Sequence, residues 1–206
     1  MNATEYKVFS MADGSVYNGY VLMGTMTPHG VGNRTGANFS YTYRGEFKNG
    51  VFDGVGTITY HTVLQTEQNS VYYYQGGFRN GMFYGKGEAK YHVPPTFDYS
   101  KVRCSCYYNG GWRDGVKKGY GTMMYANGER YIGGWNNDVP EGYGELTWNK
   151  MDFPKYEGGW KNGAFEGFGR YFAADGSCEY EGGYRAGVRM GGPLSPRISK
   201  NDQRVK

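Results

Sequence analysis

Between residues 156 and 173 the chain alternates with a period of two. Tyr156, Gly158 and Trp160 fall on one face of an extended segment, and Gly167, Gly169, Tyr171 and Ala173 share one face of the next. Asn162-Gly163 lies between them, a dipeptide that adopts the positive φ angles of a tight turn at little cost. The pattern predicts a β-hairpin, and it recurs. YRGEFKNGVFDGVG starts at 43, YQGGFRNGMFYGKG at 74, YNGGWRDGVKKGYG at 108, YIGGWNNDVPEGYG at 131, YEGGWKNGAFEGFG at 156 and a shortened YEGGYRAGVRMGG at 180, with a looser YNGYVLMG at 17. Asn49-Gly50, Asn80-Gly81 and Asp114-Gly115 mark the same first turn, while Asn127-Gly128 and Asp175-Gly176 mark turns between units. A unit of about 23 residues repeated this way predicts a repeat architecture. The extra residues, 61–73 and 92–107, fall between units, on connections at one edge of the array. Residues 1–16 are expected to form a cap or edge segment, 17–192 the array, and 193–206 a basic, disordered tail.

Glycine weakens strand interiors, yet the 206 residues include 36 glycines beside 22 tyrosines, 11 phenylalanines and 4 tryptophans, and only 38% are hydrophobic. A glycine on the same face as an aromatic leaves bare backbone on which a neighbouring ring can lie flat. Burial is therefore expected from aromatics in a thin sheet, without a second layer of helices.

The pattern Y-x-G-x-[W/F/Y]-x-x-G-x-x-x-G-x-G resembles the MORN repeat (membrane occupation and recognition nexus) over roughly residues 17–192, in about seven copies. The resemblance implies an all-β fold, an elongated single-layer antiparallel array of tandem β-hairpins with a groove along one side. It also implies a non-enzymatic scaffold for other proteins in cytoskeletal, ciliary, flagellar or axonemal assemblies. The chain departs from the pattern in three places. Asp138 replaces the turn glycine of the copy at 131, two extra residues separate Gly24 from Gly30, and the last copy stops at Gly192-Pro193. The terminal copies are expected to act as the caps that repeat arrays need.

A net charge of +4 suggests a polyanion until it is placed on the chain. Arg197, Lys200, Arg204 and Lys206 stand against Asp202 after residue 191, so the body is nearly neutral and nucleic acid is not an expected partner. A membrane-surface adaptor for anionic lipid is the alternative reading, with the tail contributing about 1 kcal/mol per cation. A regulatory subunit of a separate enzyme is a third. No run approaches the roughly 20 apolar residues of a membrane span, and the start lacks the charged and apolar regions of a signal peptide. Cys104, Cys106 and Cys178 are too few for a disulfide framework, so the cytoplasm is the expected compartment.

Catalytic chemistry finds little support. Gly119-Tyr120-Gly121 and Gly142-Tyr143-Gly144 lack the third glycine and the GK[ST] of phosphate loops. Cys104-x-Cys106 would put two thiols on one face of an insertion downstream of His92, short of a structural zinc set. His29, His61 and His92 have no nucleophile at catalytic spacing. No enzyme, cofactor or metal site is expected. Two sets of residues are candidates for partner binding. One is an aromatic groove of Tyr43, Phe47, Tyr74, Phe78, Tyr108, Trp112, Tyr131, Trp135, Tyr156 and Trp160, residue types that dominate interface hot spots. The other is the hairpin tips, where Val51, Met82, Val116, Val139, Ala164 and Val188 are followed in three copies by Phe52, Phe83 and Phe165. Those rings either form a sticky ladder or fold back to seal the hairpin ends. Two open sheet edges also invite pairing with another chain or a second copy.

Overall fold

The computed structural model describes residues 3–62, 70–93, 104–148 and 154–191. They form one antiparallel sheet of 15 strands in chain order, each hydrogen-bonded to its sequence neighbours. An edge strand, β1 (Thr4–Ser10), is followed by hairpins β2 (Val16–Leu22) with β3 (Pro28–Thr35), β4 (Tyr41–Lys48) with β5 (Val51–Tyr60), and β6 (Val71–Arg79) with β7 (Met82–Tyr91). Then come β8 (Ser105–Arg113) with β9 (Val116–Tyr125), β10 (Arg130–Asn136) with β11 (Val139–Thr147), β12 (Lys155–Lys161) with β13 (Ala164–Phe172), and β14 (Cys178–Arg185) with the two-residue β15 (Val188–Arg189). Each hairpin is one sequence unit, so the expected all-β single-layer array is what forms. A 3-10 turn at Ala37–Phe39 is the only helical segment among the described residues.

The glycines explain how one layer buries a core. Tyr17, Tyr43, Tyr74, Tyr108, Tyr131 and Tyr156 are at most 1% exposed. Each lies flat over two glycines, one two residues further along its own strand and one across on the next. A Cβ on Gly158 would stand 2.5 Å from both the Gly169 Cα and the Tyr156 Oη. The seat is therefore filled by the strand's own tyrosine rather than by a neighbouring unit's ring. Each hydroxyl then donates to a carbonyl three residues on, as from Tyr43 to Glu46 O and from Tyr131 to Gly134 O, both at 2.9 Å. Phe47, Phe78, Trp112, Trp135, Trp160 and Tyr184 stand edge-on between successive tyrosines, with centroids 4.9 to 5.6 Å apart. Edge-to-face packing of this kind adds about 0.5–1.5 kcal/mol per pair beyond area burial.

The first turns are stitched to one another. Asn49 (φ 50°) and Gly50 (φ 88°) make the left-handed pair of a type I′ turn, and the same holds at 80–81, 114–115 and 162–163. The turn amide of each hairpin donates back to the preceding one: Gly81 N to Phe52 O at 2.8 Å, Gly163 N to Pro140 O at 3.0 Å, Gly187 N to Phe165 O at 2.9 Å. Carboxylates add a second stitch, Asp53 to Asn80 N, Glu141 to Asn162 N and Glu166 to Ala186 N, at 2.9 to 3.1 Å. The tips thus form a braced row rather than loose ends.

Candidate interaction faces

The ten residues of the expected groove all lie on one face of the sheet, here the ring face, but not as a lining. They are 0 to 5% exposed. Their polar atoms are also spent internally, since Trp112, Trp135 and Trp160 donate Nε1–H to Gly87 O, Gly121 O and Gly144 O at 3.2, 3.3 and 3.1 Å. Burial pushes the hydroxyls of Tyr43, Tyr74, Tyr108, Tyr131 and Tyr156 well above the usual tyrosine range, and that of Tyr17 up to about 12. These rings build the face. What it offers to a partner is the half-buried layer above them, including Tyr41, Phe52, Phe83, Trp148, Phe165 and Tyr171.

The hairpin tips divide between the two faces. Phe52, Phe83 and Phe165 fold back and stack on Tyr43, Tyr74 and Tyr156 at 3.8 Å, nearly parallel. The preceding position in each copy remains on the opposite face, with Val51 and Met82 exposed before Phe52 and Phe83, and Val139 and Val188 exposed in the copies at 131 and 180. In the copy at 108 the stacking position holds Lys117, only 9% exposed, with its ammonium 5.5 to 5.9 Å from the ring centres of Tyr91, Tyr108, Trp112 and Trp135. Asp138 accounts for this. Its carboxylate accepts from Lys117 N at 2.9 Å and pairs with Lys117 Nζ at 3.0 Å. The lysine and the missing turn glycine are two halves of one substitution, placed in adjacent units.

The opposite face carries what sequence reasoning missed. In each Gly-x-Gly the glycines face the rings, so the middle residue points away from them. Val31, Val55, Tyr120, Tyr143 and Phe168 stand there 59 to 68% exposed, with the exposed Lys86 completing the row. Their exposure has a local cause. Val55, Lys86, Tyr120, Tyr143 and Phe168 lie across from Gly77, Gly111, Gly134, Gly159 and Gly183, which offer no side chain to lean on. The first four of these glycines are required where the bulged backbone closes, since a Cβ at Gly134 would meet Glu141 O at 2.0 Å. Rungs recur every second strand, about 9.6 Å apart. Lys48, Arg79, Arg113, Lys161 and Arg185, each just before a turn, form an exposed cationic row beside this ladder. The signal was the residue inside Gly-x-Gly, set against strand alternation.

Cys104 is buried and Cys106 exposed, with a register shift between Ser105 and Tyr107, so the two thiols do not share a face as their spacing suggested. No group of three potential ligands is placed to hold a metal ion among the described residues. Likewise, no described helix is long and apolar enough to cross a membrane. Of the insertions, 71–73 and 105–107 belong to β6 and β8, whereas 63–69 and 94–103 lie outside the described residues, as does the tail from 192.

An open antiparallel sheet in which each hairpin repeats one tyrosine-over-glycine seat defines a β-hairpin repeat protein. The MORN repeat pattern matches residues 43–62, 74–92, 108–130, 131–150 and 156–178, about half of the chain, and the chain belongs to the MORN repeat family. The units at 17 and 180 lie outside the matched segments but keep the same seat, with Tyr17 donating to Tyr20 O at 2.6 Å and Tyr180 to Gly183 O at 2.9 Å. A comparison with curated proteins finds no match. MORN repeats form a non-enzymatic family whose members generally bind proteins or lipids.

Proposed function

We propose that the chain is a non-enzymatic scaffold that binds other proteins along its extended sheet, within a cytoskeletal or ciliary assembly of the cytoplasm. The observation that carries the protein-binding part is the ladder of Val31, Val55, Tyr120, Tyr143 and Phe168, held in water by a braced sheet. Large exposed apolar rows on a folded surface mark interaction sites. The half-buried Phe52, Phe83 and Phe165 give the ring face a second, shallower contact row. The cytoskeletal setting rests on the family resemblance. A lipid-binding reading is favoured by one observation, the row of Lys48, Arg79, Arg113, Lys161 and Arg185 beside exposed aromatics, since cations and aromatics together suit an anionic interface. Glu141, Glu145 and Glu166 on the same face oppose it.

Affinity capture from lysate decides between them, using the full chain, a Tyr120→Ser, Tyr143→Ser, Phe168→Ser variant, and sedimentation with phosphatidylserine vesicles. Capture of a cytoskeletal set that the variant loses supports the scaffold. Vesicle binding without protein capture moves lipid to first place, and capture that survives the substitutions removes the ladder from the account.

A further inference from the structure

The two ends of the sheet differ. At the far end, β15 spans only Val188–Arg189, and the Arg189 guanidinium packs over the rings of Tyr171 and Tyr180 at 4.8 and 5.0 Å. At the near end, β1 runs seven residues, Thr4 to Ser10, in unbroken register with β2, without proline or bulge. Among the described residues nothing pairs with its other side. Natural edges of this length are usually blunted. Here Tyr6 and Val8 are instead 59% and 62% exposed. Tyr6 is held upright by its hydroxyl, which donates to Asn18 Oδ1, and by an edge-on contact with Tyr20.

The register fixes which backbone groups of β1 are free. Met23 N donates to Ala3 O at 3.0 Å, and Met11 N to Ser15 O at 2.7 Å. Hydrogen-bonded pairs alternate along an antiparallel ladder, so the odd-numbered residues between these ends direct their amides and carbonyls to β2. Those of Thr4, Tyr6, Val8 and Ser10 point outward. We propose that this edge is the interface of a homodimer, formed by antiparallel β1–β1 pairing about a two-fold axis at Tyr6.

Charge selects the occupant and the register. With the axis at Tyr6, the outward groups of Thr4, Tyr6 and Val8 pair with those of Val8, Tyr6 and Thr4 of the second copy. Glu5 then stands across from Lys7, and Lys7 from Glu5, in the closely spaced non-hydrogen-bonded positions where cross-strand charges interact best. Sliding by one step in either direction that keeps the outward groups paired sets Lys7 against Lys7 or Glu5 against Glu5. Within one chain Glu5 and Lys7 already lie side by side on the ring face, Nζ to Oε1 2.9 Å. A second copy completes an alternating four-charge cluster, and Tyr6 meets Tyr6 on the opposite face. The interface is isologous, so it closes at two copies and does not propagate from this edge.

Sedimentation velocity on the full chain tests this. The expected species is a dimer of the 23.1 kDa chain. Lys7→Glu and Glu5→Lys should each weaken it about tenfold or more, since like charges then face each other. The double variant Glu5→Lys, Lys7→Glu should restore it, because the swap regenerates opposite pairs. Melting curves check that each variant is folded. Tyr6→Cys, in a Cys106→Ser, Cys178→Ser background, should oxidise to a covalent dimer, because the paired Cα atoms would lie about 5.5 Å apart, within disulfide reach. Ser10→Cys, far from the axis, should not. A monomer across the micromolar range, a dimer indifferent to the single charge changes, or a double variant that fails to recover would each overturn the proposal. None of these results bears on ligand capture by the ladder, so the two readings fail separately.

Discussion

Tyr143 and Tyr131 are aromatic residues of one repeat unit, on the paired strands β10 and β11, and they end in opposite environments. Tyr131 is 1% exposed, flat over Gly133 and Gly144, while Tyr143 is 66% exposed one residue before Gly144. The residue type is the same. What differs is whether the cross-strand glycines lie beneath the ring, as a seat, or beside it, as a gap. Glycine placement thus sorts the aromatics into a core on one face and a contact ladder on the other, and strand alternation does the sorting.

The largest effect that would separate the two faces is expected at alkaline pH. An unfolded tyrosine loses its proton near pH 10, whereas the seated tyrosines hold theirs to higher pH, because burial disfavours the phenolate. Their contribution is fully present below about pH 10 and is lost as the pH rises through the folded values. Melting temperature should therefore be flat toward neutrality and fall steeply above pH 10, while the tyrosinate absorbance of the seated rings rises as the sheet unfolds. Full tyrosinate absorbance of all 22 tyrosines reached while the sheet stays folded would mean that the seats are not dry.

Next in size is Gly158→Val, which drives a branched side chain against the Gly169 Cα and the Tyr156 ring. A loss of about 3 kcal/mol is expected in urea unfolding, and an unchanged midpoint would remove the seat from the account. The unit at 108 sharpens the comparison further, because there a charge occupies the ring position. Lys117→Phe and Asp138→Gly should each destabilise alone, whereas together they recreate the units at 43 and 74, with coupling of about 1 kcal/mol in a double-mutant cycle. Strict additivity would deny that the two departures are linked. The smallest effect belongs to the ladder. Tyr120→Ser, Tyr143→Ser and Phe168→Ser should each change stability by no more than about 0.5 kcal/mol, so a large loss in any of them would show that the ladder supports the fold.

Much of this was legible in the chain. The period of two, the Asn-Gly turns and the recurring unit dictate hairpins in sequence order, because local backbone preferences and nearest-neighbour pairing are enough to specify such an array. Those same signals placed the aromatics on shared faces and identified Asp138 as a departure. They did not say how much water each ring meets. The groove residues from Tyr43 to Trp160 read as a binding row because a hot spot and an aromatic core have the same composition, and burial depends on neighbours across the strand. Phe52 folding back, Lys117 finding Asp138 in the next unit, and Cys104 turning in while Cys106 turns out all depend on register and bulges.

The repeat, the turns and the strand order follow from residues close together in the chain. Which aromatics are core and which are surface, and which edge strand shrinks to the two residues of β15 while the other runs the seven residues of β1, emerge only in the folded sheet. Those outcomes depend on what stands opposite each side chain across the sheet, and that pairing exists only once the hairpins are stacked.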